Sequence, residues 1–297
     1  MVFKKQSYNP AFTIVELLVV IVVIGVLAAI TIVSYTGITS KAAIATMQSD
    51  LSNASQKISL YQVSDPDSNY PADQAAAIAA DVIKPNSSMD YVYYGADNTS
   101  SPKYYCYMYR KGTETYAVDS TSAVSKGVCL QNLVTNGDFR DGVSGWNTSS
   151  TSVSSVNNNE LSFIVASKYG GVFQYIPNYA NYKLHKLYYS AYVKADSPIV
   201  YLILNDGTAQ GLAVSTSLGL YQTLSNVFSI SSSATSLYTR LQDSRSSGWT
   251  TNYIKYWTTI DLTTIFGIGN EPTQAQMDML ITQLPNNWFN ITAKVNL

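Results

Sequence analysis

Glu16 is the one carboxylate in an otherwise apolar stretch that runs from Ala11 to Tyr35, AFTIVELLVVIVVIGVLAAITIVSY. No Lys, Arg or Asp interrupts this stretch between positions 12 and 35. An ionised carboxylate in hydrocarbon costs at least about 2.5 kcal/mol, so an acid inside a membrane normally has a partner. The chemistry open to Glu16 is therefore electrostatic: it can neutralise a positive group that reaches it.

The stretch around Glu16 is long enough to cross a bilayer, because an α-helix needs about 20 apolar residues for that. A cleaved secretory signal is one alternative, and Leu27–Ala29 imitates its small-residue cleavage site, although such signals have an apolar core of only about 7 to 15 residues. A plain signal anchor is the other, and it would explain Lys4 and Lys5 by the positive-inside rule. Neither alternative explains Glu16.

A basic leader, a small residue and F-T-x-x-E at the start of an apolar helix resemble the prepilin signature of type IV pilins and pseudopilins. The matching residues are Ala11, Phe12, Thr13 and Glu16, with Ala11 where Gly is usual. The resemblance implies that a prepilin peptidase cleaves between Ala11 and Phe12 and methylates the new amine of Phe12. It also implies that Glu16 neutralises the Phe12 ammonium of a neighbouring pilin subunit. Each charge alone would be heavily penalised in an apolar bundle, so the pair would fix the register of assembly.

The rest of the chain predicts a long helix, a small mixed head and a β-rich half. An apolar stripe with spacings of three and four continues the helix, and Pro66 disfavours helical geometry in the residue before it. We expect an α+β pilin fold followed by an all-β jelly-roll sandwich with a short terminal helix. The predicted segments are a leader at 1–11, a helix at 12–64 with a transmembrane or filament-core part at 12–35, a headgroup at 65–131 and the sandwich at 132–297.

Cys106 and Cys129 are the only two cysteines of the chain. Outside the cytoplasm such a pair favours a disulfide, and many pilins close a loop of the head in this way. Two free buried thiols are the alternative. The chain has one histidine, His185, and no C-x-x-C, so the sequence does not support a Cys/His zinc site.

Residues 132–265 resemble jelly-roll carbohydrate-binding domains. The resemblance rests on N-G-D-F at Asn136–Phe139, on Gly145-Trp146, and on Asp261 in a late strand. Many members of that family hold a structural calcium ion, which takes six to eight oxygen ligands. The resemblance implies that Asn136, Asp138 and Asp261 would supply part of such a site, with no other cofactor required.

Sugar-binding domains of this kind stack aromatic rings on pyranose faces. Trp249 lies in the Ser/Gly-rich turn RSSGWTTNY, and Tyr253 and Trp257 follow it at strand spacing, so these three are the predicted ligand residues. The alternative is that they belong to the core, because an aromatic side chain on an alternating strand is more often buried than exposed.

Composition and motifs disfavour catalysis and nucleic-acid binding. No G-x-S-x-G, H-E-x-x-H or P-loop pattern occurs, and Glu271 is read as a structural acid near a helix start. Residues 12–131 carry seven basic and ten acidic side chains, a net charge of −3, and residues 132–297 carry nine of each. This balance gives no broad basic surface for phosphates.

The sequence therefore predicts a structural subunit of a type IV pilus or a similar surface filament. It would be held in the inner or cytoplasmic membrane before assembly and would then display a binding domain for surface ligands, predicted to be glycans. The alternative is a minor pilin or pseudopilin of a DNA-uptake or type II secretion system, in which the second domain is only a spacer.

Overall fold

The computed structural model describes residues 13–149, 151–165, 167–245 and 249–297. The predicted cleavage and methylation at Ala11 and Phe12 lie outside these residues. The chain divides into two compact units, one up to Thr46 and one from Met47 to Leu297, and each is described by itself.

The first unit is the apolar part of helix α1, which runs from Ile14 to Ser64. Its most apolar 18-residue window has a mean hydropathy of 3.1, and its side chains are exposed. By length and composition this segment can cross a membrane. The long helix and its end before Pro66 confirm the prediction from the sequence.

The second unit begins with the last turns of α1, which bury the stripe Met47, Leu51, Ala54 and Ile58. The head then contains one short helix and four strands, followed by a fifth strand from the far end of the chain. Their bounds are α2 Gln74–Ala79, β1 Tyr91–Asp97, β2 Tyr104–Lys111, β3 Glu114–Asp119, β4 Ser125–Gln131 and β15 Thr292–Asn296. They form one sheet in the order β1-β2-β3-β4-β15.

The strands between β4 and β15 build a sandwich of two five-stranded antiparallel sheets, as the sequence predicts. One sheet has the order β11-β10-β13-β8-β5 and the other has the order β12-β9-β14-β7-β6. The strand bounds are β5 Asn147–Ser149, β6 Thr151–Asn157, β7 Glu160–Val165, β8 Gly170–Tyr175, β9 Lys186–Ala195, β10 Val200–Asn205, β11 Gln210–Val214, β12 Tyr221–Ser229, β13 Tyr238–Asp243 and β14 Thr250–Asp261.

Between the sheets lies an apolar core with Trp257 fully buried at its centre. Helix α3 (Leu262–Phe266) follows β14, and helix α4 (Gln274–Ile281) begins at Thr273. Thr273 and Gln276 form the predicted capping box, in which each side chain accepts a bond from the other residue's backbone N–H. A second apolar cluster joins α3 and α4 to the head sheet.

The last strand is where the architecture departs from the expected order. The sequence assigns all of residues 132–297 to the sandwich, whereas β15 pairs antiparallel with β4 of the head, from Thr292 opposite Gln131 to Asn296 opposite Gly127. A short alternating run such as TAKVN fits any sheet edge, because strand preference reflects the packing environment more than the sequence itself. The sandwich is thus inserted between two neighbouring strands of the head sheet.

The disulfide between Cys106 and Cys129 is present and ties β2 to β4. We expect replacement of both residues by alanine to lower the free energy of unfolding by about 3 kcal/mol, because the cross-link restricts a loop of this length in the unfolded chain. Calorimetry of the detergent-solubilised full chain measures this. A reducing agent should lower the melting temperature of the unmodified protein and leave the double variant unchanged; equal responses would contradict the prediction.

Candidate functional site

Glu16 forms hydrogen bonds with Thr13, the residue just before its own helix. The backbone N–H and the hydroxyl of Thr13 donate to Glu16 Oε2 at 2.9 and 2.8 Å, and the Glu16 N–H donates to Thr13 Oγ1 at 3.2 Å. This is a reciprocal capping box, and T-x-x-E is its sequence signature. The prediction from the sequence assigned no capping role to Glu16. The single chain therefore already gives this acid two donors, which lowers the cost of carrying a carboxylate in an apolar helix.

The three predicted calcium ligands already have other partners. Asp138 Oδ2 accepts from Arg140 Nε at 2.7 Å, and the Asn136 amide donates to the carbonyls of Gly142 and Ser144 at 3.0 Å each. The Arg140 guanidinium thus neutralises the Asp138 carboxylate and occupies its Oδ2. Asn136 and Asp138 close the loop after β4, and calcium would have to compete with Arg140 for Asp138.

Asp261 acts as a helix cap. Its Oδ1 accepts from the Thr264 N–H at 3.2 Å at the start of α3, and its Oδ2 lies 2.8 Å from His185 Nδ1. Among the described residues no group of three or more His, Cys, Asp or Glu side chains is placed to share a metal ion. Asp261 is thus paired with Thr264 and His185, and among the described residues it shares no hydrogen-bond partner with Asn136 or Asp138.

The three predicted ligand aromatics lie in different environments. Trp257 is fully buried, and its indole N–H donates to Thr239 Oγ1 at 2.9 Å, so the prediction for Trp257 is wrong. Tyr253 is half-buried on the outer side of β14, with Lys194 Nζ 3.8 Å from its ring centre. Trp249 is 69% exposed in the turn before β14 and can still meet a ligand.

A β-bulge separates Tyr253 from Trp257. Two residues four apart share one face of a regular strand, but the pairing of β14 with β9 shifts between Ile254 and Tyr256. One extra residue reverses which side the later side chains face. Trp257 therefore turns into the core while Tyr253 stays outside.

The outer side of the β14 sheet is partly covered. Tyr188 and Ile260 pack in the apolar cluster below α4, and the Tyr188 hydroxyl donates to Asp278 at 2.8 Å. Farther along this face, the rings of Tyr192 and Tyr221 stack on each other at 5.0 Å between centres. Rings whose faces are covered by neighbouring rings or by Lys194 offer little flat surface to a ligand.

The outer side of the opposite sheet presents a different surface, which we call the aromatic face. Strand β13 alternates strictly, with Thr239 and Leu241 buried between the sheets and the residues between them half-exposed. The register of the sheet places the outward residues of five strands on this one side. They are Asn147, Ser149, Gly171, Phe173, Tyr175, Tyr201, Ile203, Asn205, Gln210, Leu212, Val214, Tyr238, Arg240 and Gln242.

Three rings form the centre of the aromatic face. Phe173, Tyr175 and Tyr238 meet edge to face, with ring centres 5.5, 6.2 and 5.7 Å apart, a favoured geometry for aromatic groups. Tyr175 is 59% exposed, and Leu212 and Val214 extend the apolar surface at 40% and 44% exposure. The cluster was not predicted: Y-T-R-L-Q-D and G-V-F-Q-Y each carry the alternation of a two-sided strand, but that alternation does not place the two strands side by side.

Arg240 adjoins these rings and faces Phe173 across the strand pair. Its Nη2 donates to Ser149 Oγ at 2.7 Å and to the carbonyl of Tyr169, and its Nε is buried without a hydrogen-bond partner. Burial lowers the pKa of the Arg240 guanidinium, because desolvation penalises the charged form. Tyr169, whose carbonyl accepts from Arg240, has a left-handed backbone conformation with φ of 66°.

Comparisons with known proteins agree with the N-terminal motif. Residues 7–32 match the family model described as the prokaryotic N-terminal methylation motif. No curated protein matches the sequence. The match supports the N-terminal methylation motif predicted from the sequence, and the helix that begins within it is long and apolar enough to cross a membrane. Processing by a prepilin peptidase and association with other pilin subunits are what this motif implies.

Several solved carbohydrate-binding modules are similar to the second half of the chain. A family 16 module shares 16% identity at a TM-score of 0.34, covering 44% of this chain and 100% of that one. The C-terminal family 22 module of Clostridium thermocellum Xyn10B shares 15% at 0.32, covering 46% and 92%. A module titled TmCBM61, in complex with β-1,4-galactotriose, shares 11% at 0.33, covering 44% and 99%.

Proposed function

We propose that this protein is a structural subunit of a type IV pilus or pilus-like surface filament, and that its sandwich binds surface glycans through the aromatic face. The subunit would leave the membrane for an extracellular filament, with other pilin subunits as its partners and no catalytic role. The methylation motif and the apolar part of α1 support the filament role. The aromatic face supports the binding role.

One observation carries the binding proposal: Tyr175 is 59% exposed although two other rings surround it. A patch of aromatic and aliphatic side chains on a sheet surface indicates a binding site when polar groups border it. Here Gln210 and Asn147 are exposed on the same face, and their amides can bond sugar hydroxyls. A pyranose offers the matching pair of surfaces, an apolar C–H face and a rim of hydroxyls.

The experiment is a glycan-array screen of the detergent-solubilised full chain, followed by affinity measurement on the glycans that bind. Replacing Tyr175 and Tyr238 by alanine should weaken binding at least about tenfold, because each ring contributes on the order of 1 kcal/mol of contact. Tyr179→Ala is the matched control, since Tyr179 is an exposed tyrosine of the sandwich outside the aromatic face.

The control variant should bind as the unmodified protein does. A folded protein that binds no glycan, or a double variant that binds at full strength, would contradict the assignment of the aromatic face. A complete absence of binding would favour the alternative in which the sandwich is a spacer in a minor pilin or pseudopilin of a DNA-uptake or type II secretion system.

A further inference from the structure

The charges on the aromatic face are unbalanced. Of the outward residues described on its five strands, Arg240 is the only charged one, and no Asp or Glu stands beside it. At the edge of the face, the Lys168 ammonium lies 4.7 Å from the centre of the Tyr169 ring and adds a second positive group. The face therefore has positive charge within an apolar surface.

Arg240 also differs from the other arginines of the sandwich. Arg140 and Arg245 each form an ion pair with a neighbouring carboxylate, at 2.7 and 2.9 Å. In the described part of the chain Arg240 forms none, and its two donated bonds go to the neutral oxygens of Ser149 and Tyr169. A guanidinium that is partly desolvated without a counter-charge is costly, and a carboxylate that reaches its remaining Nη1 group would offset that cost.

We infer that the aromatic face selects acidic glycans, with Arg240 binding the carboxylate of a uronic or sialic acid residue while Tyr175 contacts the sugar ring. This inference rests on the proposed function, because it names the ligand class of the same face. Only two positive groups, Arg240 and Lys168, lie beside the three rings, and this suits a sugar with an isolated carboxylate. It suits a nucleic acid poorly, since that ligand needs several cations along its phosphates.

The test compares each acidic ligand with its neutral form. The probes are oligogalacturonate, oligoalginate and sialyllactose, each with its methyl ester, titrated against the detergent-solubilised full chain. At least one acidic probe should bind about tenfold or more tightly than its neutral form, as a hydrogen bond to a charged group predicts. Added salt should weaken binding of the acid and leave the neutral form unchanged.

Variants at Arg240 assign the effect to this residue. Arg240→Gln should lose the preference for the acid. Arg240→Lys should keep part of that preference because it keeps the positive charge, and Lys183→Gln should keep it in full. Lys183 is the matched control because it carries the same charge near Tyr179, away from the aromatic face. Melting temperatures identify variants that fail to fold, and the acid-against-neutral comparison on the unmodified protein does not depend on any variant.

The outcomes separate this inference from the proposed function. Equal binding of acidic and neutral forms would overturn the acidic preference and leave glycan binding intact. An absence of all glycan binding would overturn both. Binding of duplex DNA that depends on Arg240, with no acidic glycan bound, would overturn both and support the DNA-uptake alternative.

Discussion

Replacing Glu16 by glutamine is expected to abolish filament assembly while leaving the protein in the membrane. The amide keeps the size of the side chain and is easier to insert into lipid than a carboxylate. It cannot, however, neutralise the ammonium that cleavage before Phe12 would create on a neighbouring subunit. Breaking one side of a buried ion pair leaves the other charge uncompensated, at a cost of about 3 to 5 kcal/mol for each subunit added.

Shearing of surface filaments and immunoblotting of the sheared and membrane fractions measure this effect. Thr46→Ala is the matched control in the same helix, because it removes only a hydroxyl that bonds to the Ala42 carbonyl. We expect sheared filaments from the control and none from Glu16→Gln. A normal yield of filaments from Glu16→Gln would show that assembly does not depend on this carboxylate.

The second large effect is expected at Trp257, the indole at the centre of the sandwich. Trp257→Ala should lower the free energy of unfolding by about 3 to 5 kcal/mol, the usual cost of removing a large buried ring. The ring of Trp146 lies 4.7 Å away and would lose its partner, and Thr239 would lose its indole donor. For a unit of this size the melting temperature should fall on the order of 10 °C.

Trp249→Ala is the matched control for this measurement. Trp249 is 69% exposed, so its removal should change stability by no more than about 0.5 kcal/mol. Scanning calorimetry of the detergent-solubilised full chain compares the two variants directly. Similar losses for Trp249 and Trp257 would contradict the distinction that the β-bulge creates between them.

The contrast between these two tryptophans shows which structural features could be predicted from the sequence. Local signals gave correct predictions: Pro66 ended the helix, T-x-x-Q capped α4, and the two cysteines formed one pair. The inward or outward direction of an aromatic side chain depended on a single extra residue in β14 and on which sheet covered it. The extra residue and the covering sheet cannot be predicted from ten residues of sequence. Alternation defines two faces of a strand, but it does not indicate which face packs in the core.

The aromatic face and the last strand escaped prediction for a related reason. Tyr175, Tyr238 and Arg240 come from two strands more than sixty positions apart in the sequence. Their proximity results from the order of strands in the sheet, which no local pattern encodes. The pairing of β15 with β4 joins residues even farther apart in the sequence, 131 and 292.

The insertion of the sandwich between β4 and β15 decides how the protein would resist tension. A pull on a sandwich fixed to a surface enters the head at Gln131 and Thr292, which face each other at one end of the two strands. Both strands are then drawn in the same direction, so the bonds between them bear little shear. On its other side β4 pairs with β3 through only two residue pairs, at Lys126 and Ser125. Cys129, two positions before the entry point, passes the load to β2 through a covalent bond, so the sandwich is held to the head by a disulfide as well as by the apolar cluster under α3 and α4.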